Sequence, residues 1–457
     1  MSLTISVADI IKNSNNPLLA IDPSWERIPL GEIAKILNGF AFKSELFNDT
    51  KGMPLIRIRD IGKNRTDCYY NGPFNESYVI KPGDLLIGMD GDFNCSRWTG
   101  PNALLNQRVC KIEVNPNLYD HNFLEFVLPG YLKEINENTS SQTVKHLSSR
   151  SIAEILLPNP SLSEQHRIVA RVEALLSQVN ATRERLNRVP LIMKRFRQAV
   201  LAAACSGRLT ESWREENEGF LQSKQEIPQF KADVDLPISW NWVSPAKIVK
   251  QETPHSLAIG PFGSDLKVSD YTSSGVPLIF VRNIRSGIFS DISTKYISSM
   301  KAKELAAHKV QSRDVLITKM GDPPGDARIY PENVPDGIIT ADCIKMSLNP
   351  LIANPNYIEY AINSRLVKNQ IYSITMGVAQ SKISLARFKK IGIPLPPLEE
   401  QHEIVRSVNA LFTLADKIEL QVADATKRTE ALIQALLAKA FRGELVEREP
   451  ELVKAFL

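Results

Sequence analysis

Apolar residues along two stretches of the chain follow the 4-3-4-3 spacing of a heptad repeat. The seam positions of the first stretch are Ile168, Val172, Leu175, Val179 and Leu186, and the spacing continues through Val189, Met193, Phe196 and Val200. Those of the second stretch are Ile404, Val408, Leu411, Ile418 and Val422, and the spacing continues to Leu432 and Leu436. Heptads sustained this far predict helices that pack along their length. Each helix should run for about 40 residues, which is about 60 Å.

Residues at both ends of these stretches carry helix-terminating signals. Ser161 with Glu164 fits a capping box at the start of the first helix. Gly207 and Gly443 follow the last seam positions, where a left-handed cap belongs. Pro190 lies inside the first stretch and is expected to kink that helix.

The two stretches belong to a longer internal repeat. EQHRIVARVEALL (164–176) returns as EQHEIVRSVNALF (400–412). Upstream, GMPLIRIRDI (52–61) matches GVPLIFVRNI (275–284), and PGDLLIGMDGD (82–92) matches SRDVLITKMGD (312–322). The period is far longer than that of a solenoid repeat, so we interpret the pattern as the duplication of a whole unit.

The order of the repeat predicts the architecture. Each unit has a globular head followed by a long helix, so the second helix must return along the first, and the two should pair antiparallel. The predicted fold class is α+β, with two mixed α/β heads separated by a long antiparallel two-helix coiled coil and related by an internal pseudo-twofold repeat. The predicted boundaries are head one at 1–160, the first helix at 161–207, a polar linker at 208–238, head two at 239–397, the second helix at 398–443 and a C-terminal tail at 444–457.

Short apolar runs between Gly- and Asn-rich turns predict strands in both heads. In head one the runs are PLIRIRDI, DLLIGM and VCKIEV, and in head two they are PLIFVRNI, DVLITKM and CIKMSL. Short helices fit at 120–137 and 354–373.

Polar and basic residues gather where these strands end, at matching places in both heads. In the major groove, Arg and Lys side chains bond guanine, and Asn and Gln side chains bond adenine. For any one residue, a solvated loop charge is an equally good interpretation, but the two matching sets together favour a nucleic-acid surface. The candidate DNA-binding residues are Arg57, Arg59, Lys63, Asn64, Arg65, Arg97, Gln142 and Lys145 in head one, and Arg282, Asn283, Arg285, Lys319, Gln380 and Lys382 in head two.

Composition adds few constraints. The 457 residues exceed one ordinary domain, and the net charge of +4 permits a polyanionic partner without requiring one. The 5 cysteines form no CxxC pair, which favours a reducing cytoplasm over a disulfide framework or a zinc site. No signal peptide is evident at the N-terminus, and no apolar run approaches the roughly 20 residues of a membrane span.

Motifs for catalysis are weak. DPPG (322–325) resembles the [DNS]PP motif of amino-methyltransferases, but Gly325 replaces the aromatic residue that stacks on a flipped base, so a turn is the better interpretation. MDGD (89–92) is too short for an EF-hand, and no P-loop is present. His166 and His402 fit helix capping or head contacts better than a metal site, and we predict no catalytic residue and no metal site.

The helix junctions and the segments that close each repeat carry a family resemblance. IPLPPLEEQHEIVRSVNALF and its earlier partner, with LIMKRFRQAVLAAACSGRLTESWR (191–214) and LIQALLAKAFRGEL (432–445), resemble the specificity (S) subunit of Type I restriction-modification enzymes. The likeness covers nearly the whole chain, and the central stretch looks similar to the Type IA branch.

The resemblance implies a division of labour. Each head is a target recognition domain that reads one half of an asymmetric bipartite DNA site, and the helices fix the spacer and dock two modification subunits. Those subunits hold S-adenosylmethionine and methylate adenine, and two restriction subunits add ATP- and Mg-dependent translocation and cleavage. The chain itself is then a non-catalytic, cytoplasmic subunit that binds double-stranded DNA, no cofactor and no membrane.

Two other functions stay open at this point. One is a self-sufficient adenine methyltransferase that uses Asp322–Gly325, and the other is a coiled-coil adaptor without a DNA role.

Overall fold

The computed structural model describes residues 6–139, 145–217, 229, 234–287, 289, 295–321, 323–375 and 382–446. The chain divides into two compact units. The first unit comprises Met1–Asn187 with Ala423–Leu457, and the second comprises Arg188–Val422. Each unit therefore contains one head and parts of both long helices.

Head one combines small sheets with helices. Its strands are β1 Glu26–Pro29, β2 Ala34–Asn38, β3 Phe47–Asn48, β4 Met53–Ile56, β5 Tyr69–Tyr70, β6 Val79–Ile80, β7 Leu85–Gly88, β8 Cys95–Arg97, β9 Ala103–Leu105, β10 Val109–Val114 and β11 Leu156–Asn159. Its helices are α1 Val7–Lys12, α2 Leu30–Ile33, α3 His121–Glu137 and α4 Ser149–Ala153. The sheets have the orders β2-β10-β7-β8, β3-β5-β4-β9-β6 and β1-β11, and the pairing of β4 with β9 is parallel.

Two long helices follow the heads, each 44 residues long and therefore about 66 Å. The first is α5 Leu162–Cys205, which continues through Pro190 without interruption, and a short helix, α6 Glu211–Glu216, comes after it. Gly207 and Gly443 adopt φ values of +79° and +71°, so both predicted left-handed caps are present. The Ser161 hydroxyl accepts a hydrogen bond from Glu164 N at 3.2 Å, as an N-cap does.

Head two repeats the topology of head one. Its strands are β12 Asn241–Val243, β13 Leu257–Ile259, β14 Tyr271–Thr272, β15 Val276–Ile279, β16 Tyr296–Ile297, β17 Lys309–Val310, β18 Val315–Thr318, β19 Ala327–Ile329, β20 Gly337–Ile339, β21 Cys343–Met346 and β22 Ile393–Leu395. Its helices are α7 Val281–Ser286, α8 Ser299–Glu304, α9 Pro355–Asn363, α10 Arg365–Ser373 and α11 Leu385–Phe388, and the second long helix, α12 Leu398–Phe441, follows. The sheet orders are β13-β21-β18-β19, β14-β16-β15-β20-β17 and β12-β22, with β15 and β20 parallel.

The strands of each head form where apolar runs can be buried. All four residues of β7 and of its counterpart β18 are buried, as expected of central strands covered on both faces. Helix α3 occupies the predicted range, and the Asp120 carboxylate caps it by accepting a hydrogen bond from Phe123 N at 2.8 Å. The helix predicted at 354–373 is divided in two at Ser364, whose hydroxyl caps the second piece.

The two long helices run antiparallel in the second unit. Arg197 on α5 pairs with Asp416 at 2.6 Å and with Glu419 at 2.9 Å on α12. Beyond the end of α5, Thr210 donates a hydrogen bond to Glu400 at the start of α12, at 2.7 Å. The partner positions fall as the position along α5 rises, which only antiparallel helices allow. The predicted fold class is therefore confirmed.

The predicted seam residues lie inward to different degrees. Ile168, Val172, Ile404 and Val408 are fully buried. The half-buried seam residues are Leu175, Val179, Leu186, Leu411, Ile418 and Val422. Of the two last seam positions, Leu432 is 54% exposed and Leu436 is buried. The regular spacing thus overstates burial near the end of α12.

A buried glutamine explains why the stretch EQH occurs twice. Gln165 Oε1 accepts a hydrogen bond from Asp120 N at 2.7 Å, and its Nε2 donates to Pro160 O at 2.9 Å. This amide links the start of α3 to the strand-to-α5 junction. Its polar atoms are satisfied although the residue is 0% exposed, as buried amides require.

Gln401 makes the same connection in head two. Its Oε1 accepts a hydrogen bond from Asn354 N at 2.8 Å, and its Nε2 donates to Pro396 O and to Ile352 O, both at 2.9 Å. We call each of these glutamines, with its partners, the glutamine clamp. The clamp fixes each head to the helix that follows it.

Candidate nucleic-acid interface

Loop segments of head one meet at one end of its sheets, and we call this surface edge one. The segments are 38–42, 56–66, 89–92, 105–109 and 145–147. The backbone hydrogen bonds that join them are Phe40 N to Leu105 O (2.9 Å), Asn106 N to Ile56 O (3.4 Å), Met89 N to Arg108 O (2.9 Å) and Leu147 N to Met89 O (2.8 Å). The polar loops predicted from strand ends are thus brought together by the sheets.

Head two builds the same surface, which we call edge two. Its segments are 259–263, 279–287, 318–326, 339–343 and 382–383, of which Asp322 lies outside the described residues. The corresponding bonds are Gly260 N to Cys343 O (3.1 Å), Thr340 N to Ile279 O (2.9 Å), Lys319 N to Asp342 O (2.7 Å) and Ile383 N to Lys319 O (3.0 Å). The two edges share a backbone plan although few of their side chains match.

A glycine is required where the chain crosses from one sheet to the other at each edge. A Cβ on Gly39 would lie 2.1 Å from Asn106 O, and a Cβ on Gly260 would lie 2.0 Å from Thr340 O. Both distances are far below contact with a rigid backbone atom, so any other residue would push the segments of the edge apart.

The first group of predicted DNA-binding residues lies on the turn after β4. The Asp60 carboxylate is buried and accepts a hydrogen bond from Arg57 N at 2.9 Å, which ends the strand earlier than the sequence pattern predicts. Arg57 is half-buried, and its Nε lies buried without a hydrogen-bond partner. The exposed members of the group are Arg59, Lys63, Asn64 and Arg65.

Two predicted residues of head one serve the packing of the head. Arg97 Nε donates to Glu125 Oε2 at 2.7 Å, and its Nη2 donates to Asn122 Oδ1 at 2.5 Å, so this guanidinium ties β8 to α3. Lys145 Nζ donates to Asn136 O at 2.6 Å and thereby closes the end of α3. Gln142 lies outside the described residues.

In head two, Asn283 also has a different role from the predicted base contact. It is only 6% exposed, and its Oδ1 accepts a hydrogen bond from Phe280 N at 2.9 Å. It therefore caps the turn after β15, as Asp60 does in head one. Arg282 is exposed and stacks its guanidinium over the Phe280 ring at 4.2 Å.

The remaining predicted residues of edge two divide between internal and exposed positions. Arg285 pairs with Asp326 at 3.0 Å and donates to Pro323 O at 2.7 Å. Lys319 Nζ donates to Ala341 O at 2.9 Å, and Lys382 is exposed. Gln380 lies outside the described residues.

Residues 323–325 of DPPG lie in a tight turn between β18 and β19. Gly325 N donates to Thr318 O at 2.9 Å and to Thr318 Oγ1 at 3.0 Å, and Pro324 and Gly325 are buried. The segment thus has its own structural partners, which agrees with the interpretation as a turn.

The sequence-based prediction missed three consecutive polar residues of edge one. Asn106, Gln107 and Arg108 link β9 to β10, and Gln107 and Arg108 are exposed. Amide and guanidinium groups are the side chains that read base edges. A signal was available, because the polar triplet interrupts two apolar runs at the place where head two has Thr340, Ala341 and Asp342.

The described residues contain no group of three or more His, Cys, Asp or Glu side chains suited to a metal ion. Burial raises the pKa of the Cys110, Cys205 and Cys343 thiols to about 12, so these thiols are protonated and unreactive at neutral pH. None of the helices within the described ranges is long and apolar enough to cross a membrane.

Comparisons with known proteins identify the family. The model of the Type I restriction modification DNA specificity domain matches residues 23–191 and 284–424, which include most of both repeats. The chain belongs to this family of specificity subunits. The duplication, the two heads and the helix junctions are then features of a family member.

The relatives of this specificity subunit carry the same description. It is 42% identical to the Type I restriction enzyme EcoBI specificity subunit of Escherichia coli, over 97% of this chain and 91% of that one. It is 30% identical to the EcoDI specificity subunit of Escherichia coli, over 92% of this chain and 88% of that one. These matches give no support to a self-sufficient methyltransferase.

Solved structures show the same fold. A chain from a structure of the assembly and conformational transition of the type I R-M system matches with a TM-score of 0.66 and 19% identity, covering 93% of this chain and 99% of that one. The HsdS subunit from Thermoanaerobacter tengcongensis matches with a TM-score of 0.52 and 19% identity, covering 93% of this chain and 98% of that one.

Proposed function

We propose that each head of this specificity subunit reads one half of an asymmetric bipartite site in double-stranded DNA, with edge one and edge two as the reading surfaces. The observation that carries the proposal is that one backbone plan is built twice with different side chains. Met89, Asp90 and Arg108 of edge one correspond to Lys319, Met320 and Asp342 of edge two. Edges with different hydrogen-bonding groups select different bases, so the two half-sites differ.

The long helices set the unread spacer between the half-sites. Two continuous helices of 44 residues resist bending and keep a fixed rise per residue. Inserting one heptad into each helix adds about 10 Å and keeps the helical phase of the seam, so the preferred spacer should lengthen by about 3 base pairs. Methylated-site mapping in a host that carries the insertion tests this, and an unchanged spacer would contradict the role of the helices.

The chain acts with partners in the cytoplasm. Two modification subunits that use S-adenosylmethionine methylate adenine, and two restriction subunits use ATP and Mg for translocation and cleavage. This chain supplies specificity and no catalysis. The internal hydrogen bonds of the DPPG turn support this view, because Gly325 N is held by Thr318 and Pro324 is buried.

Long-read sequencing of the host genome, with and without this gene, tests the proposal. We expect a methylated bipartite motif that disappears when the gene is deleted and returns when it is restored. A methylation pattern that is the same in both strains would overturn the proposal.

The methyltransferase alternative has its own test. The purified chain is incubated alone with labelled methyl donor and genomic DNA, and no label should enter the DNA. Turnover without any partner would establish catalysis by this chain.

A further inference from the structure

Edge one contains a carboxylate that holds two basic side chains at the surface. Asp90 Oδ2 lies 3.2 Å from Arg108 Nη1, and Asp90 Oδ1 lies 2.6 Å from His146 Nδ1. The Asp90 side chain is 16% exposed, whereas Arg108 is 54% and His146 41% exposed. The carboxylate is thus mostly enclosed, and the groups that it holds face solvent in part.

The backbone beneath this cluster is fixed by the sheet. Met89 N donates to Arg108 O at 2.9 Å, and Leu147 N donates to Met89 O at 2.8 Å. Asp90 and His146 also form an isolated antiparallel bridge. The backbone positions of Asp90, Arg108 and His146 are therefore fixed relative to one another.

We propose that Arg108 reads a guanine in the half-site of head one and that Asp90 positions its guanidinium for that contact. The inference rests on the proposed function, because it names the base chemistry that edge one selects. A guanidinium has five N–H donors in a planar fork, and the contact with Asp90 leaves a free pair that matches O6 and N7 of guanine. Holding a long side chain in place beforehand lowers the entropic cost of the contact.

The Asp90 carboxylate also distinguishes base reading from phosphate binding. A phosphate is anionic, so the Asp90 carboxylate beside Arg108 weakens a phosphate contact by charge repulsion. The O6 and N7 acceptors of guanine belong to a neutral base, so the same carboxylate costs that contact less. The short contact of Asp90 with Arg108 therefore favours a base edge as the ligand.

Edge two has no such arrangement at the matching positions. Met320 occupies the place of Asp90, Asp342 that of Arg108 and Lys382 that of His146. The guanine contact made from these positions is thus specific to the half-site of head one.

The test uses the complex of the full chain with the modification subunits of its host. Binding is measured on oligonucleotides of the mapped target in which each guanine in turn is replaced by 7-deazaguanine, which lacks the N7 acceptor. One replacement should weaken the wild-type complex, but by less than the loss of the whole contact, because O6 remains as an acceptor. Arg108→Ala removes the whole contact, so it should weaken binding to the normal target by about 5- to 150-fold. The Arg108→Ala complex should bind that modified oligonucleotide as well as it binds the normal target.

Two further variants separate the roles. Arg108→Lys keeps the charge and loses the planar fork, so it should bind the normal target more weakly than the wild type and more tightly than Arg108→Ala. A phosphate contact would instead make the wild-type complex insensitive to every N7 replacement. Asp90→Asn keeps the size of the side chain and should reduce the preference for that guanine while the other half-site is read as before. Lys133→Ala is the control, because it removes one positive charge from an exposed helical pair of the same head.

The outcomes are distinguishable. A wild-type complex without sequence-selective binding would overturn the proposed function itself. Two outcomes would overturn the guanine assignment alone. One is selective binding by the wild type together with an unchanged base preference in Arg108→Ala. The other is a target that has no guanine on either strand. Arg108 is exposed, so its replacement by alanine should leave folding intact, and an unchanged unfolding midpoint checks this.

Discussion

The two helix junctions share the glutamine clamp and differ in the surroundings of the glutamate before it. Glu400 is 0% exposed and is held by Thr210 Oγ1 at 2.7 Å, Arg214 Nη1 at 2.6 Å and Trp240 Nε1 at 2.8 Å. Glu164, at the same place in the first repeat, is half-buried. The clamp connects elements within one repeat, whereas Glu400 connects the segment after α5 to head two and α12. The contact inside each repeat is therefore present twice, whereas the contact with the segment between α5 and head two is a feature of the second junction.

The two edges give the same lesson about side chains. Backbone hydrogen bonds at matching positions keep the loops of both edges in place, and the glycines Gly39 and Gly260 keep the close approach possible. The side chains above this backbone have little effect on it, so they are free to change. A scaffold that is fixed by main-chain contacts suits a protein whose two heads recognise different partners.

The largest difference between the repeats is expected for the glutamates before the clamps. Glu400→Ala leaves the largely buried Arg214 guanidinium without the carboxylate that balances its charge, and it should cost about 3–5 kcal/mol in the stability of the second unit. Glu164→Ala should cost about 0.5 kcal/mol or less in the first unit, because that side chain is only half-buried. Hydrogen exchange of each unit in the full chain measures both, and equal costs would show that the two junctions do not differ.

The glutamine clamps should behave alike. Gln165→Ala removes the partner of one N–H and one carbonyl, and Gln401→Ala removes the partner of one N–H and two carbonyls. Each should lower the unfolding free energy of its own unit by about 2–3 kcal/mol. The same exchange experiment reports them side by side. A clear inequality would mean that one clamp has lost its role since the duplication.

Asp314 and Glu359 of head two are carboxyl groups whose charged forms destabilise the fold, so their effect on stability depends on pH. Burial raises the pKa of Asp314 above its ordinary value of 3.8 and that of Glu359 above 4.5. A raised carboxyl pKa means that the folded state binds the proton more tightly than the unfolded state. Protonation therefore stabilises the fold at pH values below the ordinary pKa, and this stabilisation is lost as the pH rises through the pKa of the folded state.

The corresponding variants test the sign of this dependence. Asp314→Asn with Glu359→Gln keeps the acceptor oxygens for Gln311 N and Ile329 N and removes the charges. We expect the second unit of this variant to gain stability over the wild type as the pH rises from about 4 toward 7, while the first unit stays unchanged. Urea titrations at a series of pH values measure the difference, and a gap between the two proteins that does not grow with pH would contradict it.

The smallest effect on folding is expected at edge two. Arg282 is exposed and stacks on the Phe280 ring, so Arg282→Ala should change the unfolding free energy by about 0.5 kcal/mol or less. It should weaken recognition of the half-site of head two and leave assembly with the modification subunits intact. Pull-down of those subunits and methylation of the target measure the two separately, and failed assembly would show that Arg282 has a packing role.

The sequence by itself determined the repeat, the long helices and the two caps at Gly207 and Gly443. The helices and caps follow from periodicity and from local signals, which act over a few residues and need no knowledge of the rest of the chain. The family was indicated by the resemblance of the junction segments. The antiparallel order also followed from the sequence, because a chain that alternates heads and helices must return.

Only the tertiary structure decided which polar residues of the edges are free to act. Arg97 and Arg285 have the right chemistry for DNA, yet their partners Glu125 and Asp326 come from distant parts of the chain. Lys145 and Asn283 are held by nearer partners, Asn136 and Phe280. Arg108 gained its position in the same way, through a carboxylate on another strand end. A side chain's role depends on whether its hydrogen-bonding groups are already satisfied, and long-range packing determines that, whereas spacing along the chain does not.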